Sequence, residues 1–135
     1  MTRRCLVPYT PAEEANLRLI RAVYERVLGP LDSARVDELF APDYIQHSPL
    51  AATGTAGLKA FLDWARNHSP DARHDVKRIF AEGDHVIAHV HVVIHPGERG
   101  NAVVDIFRIE NGKVAEHWDV AQEIPPRAAN NNDML

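Results

Sequence analysis

The sequence predicts an α+β domain, with helices first and a curved antiparallel sheet after them. Two observations carry that expectation. Up to Asn67 the apolar residues recur at helical spacing, and from His74 they alternate with a period of two. The stretch His85–Val120 is dense in Val, Ile and His, and is divided by Asn111-Gly112. An Asn-Gly pair between two such runs is the strongest short hairpin signal, because both residues accept the positive φ of a type I′ turn. A run of helices followed by a run of strands packs as helices on one face of a sheet.

The elements follow in order. Thr10-Pro11 with Glu13-Glu14 supplies a capping hydroxyl, Pro at the first helical position and acids in the first turn. Leu17, Ile20, Val23, Tyr24, Val27 and Leu28 then make a helical stripe, which Gly29-Pro30 ends. Asp32 or Ser33 caps a shorter second helix with Val36, Leu39 and Phe40 inward and Pro42 as its stop. Residues 43–49 read as a short extended piece running into a loop. A third helix spans about Thr55–Asn67, with Leu58, Phe61, Leu62 and Ala65 as its stripe and Ser69-Pro70 closing it. Four strands follow as a meander: Val76–Glu82, His85–His95, Ala102–Glu110 and Lys113–Ile124. Pro125-Pro126 breaks regular structure, and the polar tail 125–135 is expected to be mobile or folded over a neighbour. Residues 1–124 are thus expected to form a single domain.

Composition narrows the function classes. The apolar fraction is 45% and the charged fraction 25%, as in an ordinary globular domain. A net charge of −4 argues against a nucleic-acid footprint. No apolar run approaches the ~20 residues of a membrane span. MTRRCLVPYT is too short in apolar sequence for a signal peptide. With Cys5 the only cysteine, neither an internal disulfide nor a thiolate cluster can form, and a cytoplasmic setting is expected.

Residues two apart on a strand share a face. His89 and His91 therefore point one way, Asp105 goes with Val103 and Phe107, and His117 goes with Asp119. The opposite faces carry Val86, Ala88, Val90, Val92 and Ile94 on one strand and Val104 and Ile106 on the next. The polar faces are seeded with His and Asp, which work as acids and bases near neutral pH once burial tunes them. The expectation is that these faces line a pocket. The apolar faces would point away from the helices and bury themselves against a second copy of the chain, giving a homodimer through the sheet.

Helix, helix, D-Y-I-Q-H-S-P, helix, then strands with H-V-H and V-D-I-F-R-I-E-N-G-K-V-A-E-H-W-D-V resembles the SnoaL-like polyketide cyclase family over about Pro11 to Ile124. These are NTF2-like α+β cones, similar in fold to ketosteroid isomerase and limonene epoxide hydrolase. The resemblance implies a pocket Asp acting as general acid and base in an intramolecular aldol closure, without cofactor or metal. Asp105 matches that Asp, and His91 matches the His that neighbours it. Asp119 falls where the epoxide hydrolases keep a catalytic Asp.

Each candidate has a plain alternative. Asp is disfavoured in strands, and a buried carboxylate is costly unless partnered; Asp105 is thus a general base or a structural Asp bonded to backbone or His. His89 and His91 read as a proton shuttle or oxyanion donor, as a metal pair, or as a hydrogen-bonded polar patch. His117 and Asp119 are pocket groups or a plain ion pair. His47, beside Tyr44 at a loop, is a pocket group or a surface His. Tyr44 and Phe107 belong to the expected substrate pocket. Tyr24 and Phe61 read as core or pocket wall, Trp118 as packing, and His68, His74, His85 and His95 as solvated. The reading that results is a cofactor-free lyase or isomerase acting on an apolar small molecule with a carbonyl. Asp105 would take the proton, and His91 with His89 or His117 would stabilise the enolate. The alternatives are a non-catalytic module that binds an apolar ligand, and a hydrolase or hydratase using water held by Asp105 and Asp119.

Overall fold

Thr10 opens the first helix as its spacing requires. Its hydroxyl accepts from the Glu13 N–H at 3.1 Å, and its own N–H donates to Glu13 Oε1 at 2.9 Å. The computed structural model describes residues 7–135, so Cys5 lies outside the described residues. Helix α1 spans Pro11–Val23, and its first turn is tied to the sheet because the Gly83 N–H donates to Glu13 Oε2 at 3.0 Å. The predicted helix continues to Leu28, but its last turn, Tyr24–Leu28, is π-wound. Gly29 N–H reaches back to the Tyr24 carbonyl at 2.8 Å. Such π-turns appear mostly as local insertions, frequently at functional sites.

Asp32 caps a 3₁₀ turn, Ser33–Arg35, that leads into a four-residue helix α2, Val36–Leu39. Phe40, expected inward on that helix, instead begins strand β1, Phe40–Gln46. Pro42 does not stop a helix; it sits inside β1, a strand at the edge of the sheet, where a missing N–H is tolerated. Helix α3 spans Gly54–His68 and packs on β1.

The remaining strands are β2, Arg73–Glu82; β3, His85–Val93; β4, Asn101–Glu110; and β5, Lys113–Glu123. The four-stranded meander is corrected to a five-stranded sheet in the order β1-β5-β4-β3-β2, with β1 parallel to β5 and the other pairs antiparallel. Local pattern could not show this, because Gln46 pairs with His117, far along the chain. Bulges between Val76 and Arg78 and between Arg108 and Ile109 bend the sheet. The result is a curved sheet with the helices on its concave side. At Asn111-Gly112 both residues have positive φ, 53° and 73°, as the hairpin signal requires.

The core lies between that concave face and the helices. Ile20, Val23 and Val27 from the first helix, Leu58 and Leu62 from α3, and Val86, Ala88, Val90, Phe107 and Val114 from the sheet are buried together. Full burial of each of these side chains other than that of Ala88 contributes about 1.5–3 kcal/mol. The expected orientation of β3 is therefore reversed. Its apolar residues Val86, Ala88 and Val90 face the helices, and His89 and His91 face away. Among the described residues no helix is long and apolar enough to cross a membrane.

Candidate functional site

A cavity of about 790 Å³ occupies the mouth of the cone, between the concave sheet face, α3 and the 48–52 loop. Its wall is mostly apolar: Phe40, Leu58, Phe61, Trp64, Val103 and Phe107 among others. The residues lining it include Asp105 and Asp119 but no Lys or Arg.

Register decides which polar groups meet there. Cross-strand partners share a face. Ala88 pairs with Asp105, Asp105 with Asp119, and Phe107 with His117. The inner face thus carries the Asp105 side of β4, the His117/Asp119 side of β5 and the apolar side of β3. His89 pairs with Val104 and His91 with Ala102, on the outer face.

Asp105 is buried at 6% exposure, and both carboxylate oxygens are engaged. Oδ2 accepts from the Tyr24 hydroxyl at 2.5 Å, and Oδ1 lies 2.9 Å from His117 Nε2. The tautomer of His117 follows from its other nitrogen. Gln46 Oε1 accepts the Ser48 N–H at 3.1 Å, which identifies it as the amide oxygen, and it lies 2.7 Å from His117 Nδ1. Nδ1 must then be the donor to Gln46, and Nε2 faces Asp105. One proton lies between Nε2 and Oδ1, since two lone pairs would repel at that distance. A line of polar groups results, from Gln46 through His117 and Asp105 to Tyr24.

Burial raises the Tyr24 hydroxyl far above the ordinary tyrosine range, and the Asp105 charge beside it adds to the effect. Tyr24 therefore stays protonated and can only donate to Asp105. Its ring meets Phe107 edge-on, with centroids 6.0 Å apart. Tyr44 is likewise raised, first by burial and then by Asp105 and Asp119. Its hydroxyl is a permanent donor with no hydrogen-bond partner among the described residues.

Asp105, His117, Asp119, Tyr44 and Phe107 all line the cavity. His47, His89 and His91 do not, and those three expectations are corrected. His91 Nε2 lies 2.7 Å from the Arg99 carbonyl, and His89 Nδ1 is bonded to Arg78, both on the outer face. His47 stacks flat on Trp118 with centroids 4.8 Å apart and pairs with Glu116 at 2.5 Å. Parity alone could not place them. It says which residues of one strand go together, while the connection between β3 and β4 sets which face of β3 joins Asp105.

Sequence reasoning missed the parts played by three residues. Tyr24 is the direct partner of Asp105; the signal was a phenol in an otherwise aliphatic helical stripe, whose hydroxyl needs a partner when buried. Gln46, which orients His117, carried no signal until β1 was paired with β5. His74, expected to be solvated, lines the cavity from β2. It shares the inward face of Val76, which period-two reading of that strand would have given.

Asp105, His117 and Asp119 each offer a ligand atom, all within 4.8 Å of one another. A divalent cation would fit that spacing, with Gln46 orienting the His as an outer partner. It would displace the proton between His117 and Asp105.

The family model described as a SnoaL-like domain matches residues 20–117. Similar solved structures share the fold. A SnoaL-like polyketide cyclase candidate from Jannaschia sp. CCS1 is 20% identical, with 86% of this chain and 91% of that one covered and a TM-score of 0.72. An NTF2-like protein of unknown function from Mesorhizobium loti is 17% identical, covering 85% and 97%, with a TM-score of 0.68. IdmH from Streptomyces antibioticus, a polyketide cyclase candidate, is 20% identical, covering 78% and 91%, with a TM-score of 0.65. No curated protein matches the sequence.

Proposed function

Because this chain belongs to the family of SnoaL-like domains, we propose that it is a cofactor-independent lyase or isomerase for an apolar small molecule carrying a carbonyl. The observation that carries this reading is Asp105, buried in an apolar cavity and held between Tyr24 and His117. A carboxylate so placed can take a proton alpha to the substrate carbonyl, leaving an enolate. The Tyr44 hydroxyl and the His117 side of the pair stabilise the enolate oxygen, and this electrostatic help is the larger contribution. His117 takes over the part first assigned to His91. In an isomerase Asp105 returns its proton to a different carbon. In an aldol closure the enolate carbon attacks a second carbonyl of the same molecule, and the new alkoxide takes the proton from Asp105.

The test is exchange of alpha protons of 2,9-decanedione in deuterium oxide, followed by NMR. The chain should accelerate exchange over buffer, and Asp105→Asn should lower the catalysed rate by about 10²–10⁴-fold with circular dichroism unchanged. Equal exchange by both proteins would sink the assignment.

A second reading is favoured by one observation: both oxygens of Asp105 already have protein partners, as in a structural Asp. The chain would then hold an apolar ligand and release it unaltered, and Asp105→Asn would leave ligand affinity as it was.

The outer face of the sheet supports an assembly proposal. Phe80, Ile87, Val104 and Val120 are exposed there, around the ring of Trp118. Two copies would pair through this face as a homodimer. Val104 of β4 lies on this face as expected, whereas Val86, Ala88 and Val90 of β3 are buried in the core and Ile87 takes their place.

A further inference from the structure

The concave face is organised in rows that run across the strands. His74, Val92 and Asn101 form one row; Val76, Val90 and Val103 the next; Ile79, Ala88, Asp105 and Asp119 the third. The face is thus polar at His74 and Asn101, apolar across the middle, and polar again at the two aspartates. Asn101 lies four residues along β4 from Asp105, so the polar rows stand about 13 Å apart along the strands. His74 and Asn101 both line the cavity.

His74 has no part in the mechanism above, yet its surroundings are unusual. Nδ1 is buried without any hydrogen-bond partner. A buried unmade donor is rarer than an unmade acceptor, so Nδ1 keeps its lone pair and the proton sits on Nε2. Burial also holds the imidazole neutral by lowering its pKa, against the opposing pull of Asp105. Nε2–H is then a neutral donor with no protein partner among the described residues, on a residue of the cavity wall.

We propose that His74 is a ligand-anchoring residue that donates Nε2–H to an oxygen at the far end of the ligand from the carbonyl that Asp105 addresses. The ligand class follows: an uncharged, apolar molecule with oxygen acceptors at both ends. Anions are disfavoured, because two aspartates line the cavity and no Lys or Arg does. This deepens the proposed function, on which the carbonyl facing Asp105 rests. The donor at His74 stands on its own geometry.

The test uses three linear probes of one length, 2,9-decanedione, 2-decanone and decanoate, titrated against the fluorescence of Trp64 at the cavity wall. The ratio of dione to monoketone affinity should fall by about three- to ten-fold in His74→Leu, the worth of one net hydrogen bond. It should return in His74→Gln, whose amide N–H reaches the position of Nε2–H. Decanoate should bind weakest. In the wild-type chain, ¹⁵N NMR at pH 7.5 should place the His74 proton on Nε2, a readout independent of whether the variants fold. A proton on Nδ1, an unchanged ratio in His74→Leu, tightest binding of decanoate, or no binding of the dione would each overturn the proposal. Repeating the titrations in Asp105→Asn separates the two ideas. An unchanged ratio in His74→Leu with exchange lost in Asp105→Asn defeats only the His74 anchor, and a ratio that falls in His74→Leu with wild-type exchange in Asp105→Asn defeats only the catalytic reading.

Discussion

At Tyr24 one hydroxyl has a single possible partner. Asp105 Oδ2 takes that proton, and a substitution that removes it leaves a buried carboxylate with His117 alone. Tyr24→Phe should destabilise the chain by about 1.5–3 kcal/mol, the usual cost of deleting a hydrogen bond to a charged buried group. Urea unfolding at constant slope is the check, and a loss below 0.5 kcal/mol would mean that water replaces the phenol. His74 gives the pH dependence its sign. Its folded pKa lies below the ordinary value of 6.5, because burial disfavours the cation. Below that pH the unfolded chain takes up a proton that the folded chain resists, so stability falls as pH drops from 6.5 through the folded pKa. His74→Leu should show a shallower fall over the same range in thermal unfolding. Parallel profiles would place the acid sensitivity elsewhere.

At the scale of elements, the connections carry decisions that the strands do not. Gly100 and Gly112 both adopt positive φ, 77° and 73°. A Cβ at Gly100 would come within 2.3 Å of the Val92 carbonyl, whereas one at Gly112 would meet open space. Gly112→Ala should therefore cost about 1 kcal/mol from backbone strain alone, and Gly100→Ala clearly more, because the β3–β4 connection must also shift. Comparing urea midpoints decides it; equal costs would show that the connection yields freely. This connection brings Ala88, not His89, opposite Asp105. The π-turn at Tyr24–Leu28 is a second such decision, since the helical stripe predicted one uniform helix through Leu28.

For the whole molecule, the concave face is closed by helices and the convex face is left with apolar side chains at its surface. If two copies meet there, Val104→Asp with Val120→Asp should yield a monomer in sedimentation velocity with the fold retained. A wild-type chain that sediments as a monomer at 100 μM would remove the dimer from the account.

The sequence by itself determined the run of helices followed by strands, the hairpin at Asn111-Gly112, and the candidacy of Asp105. These rest on local causes: period, turn chemistry, and the cost of a carboxylate among Val, Ile and Phe. Tertiary structure alone decided the companions of Asp105. Period two groups the residues of one strand but leaves open which face of the next strand joins them, so His91 could be drawn to the pocket on paper and stand outside it in the fold. Tyr24 reaches Asp105 across 81 residues of chain, and Gln46 reaches His117 across 71. Contacts at that separation depend on how layers stack and strands pair, which no window along the sequence contains.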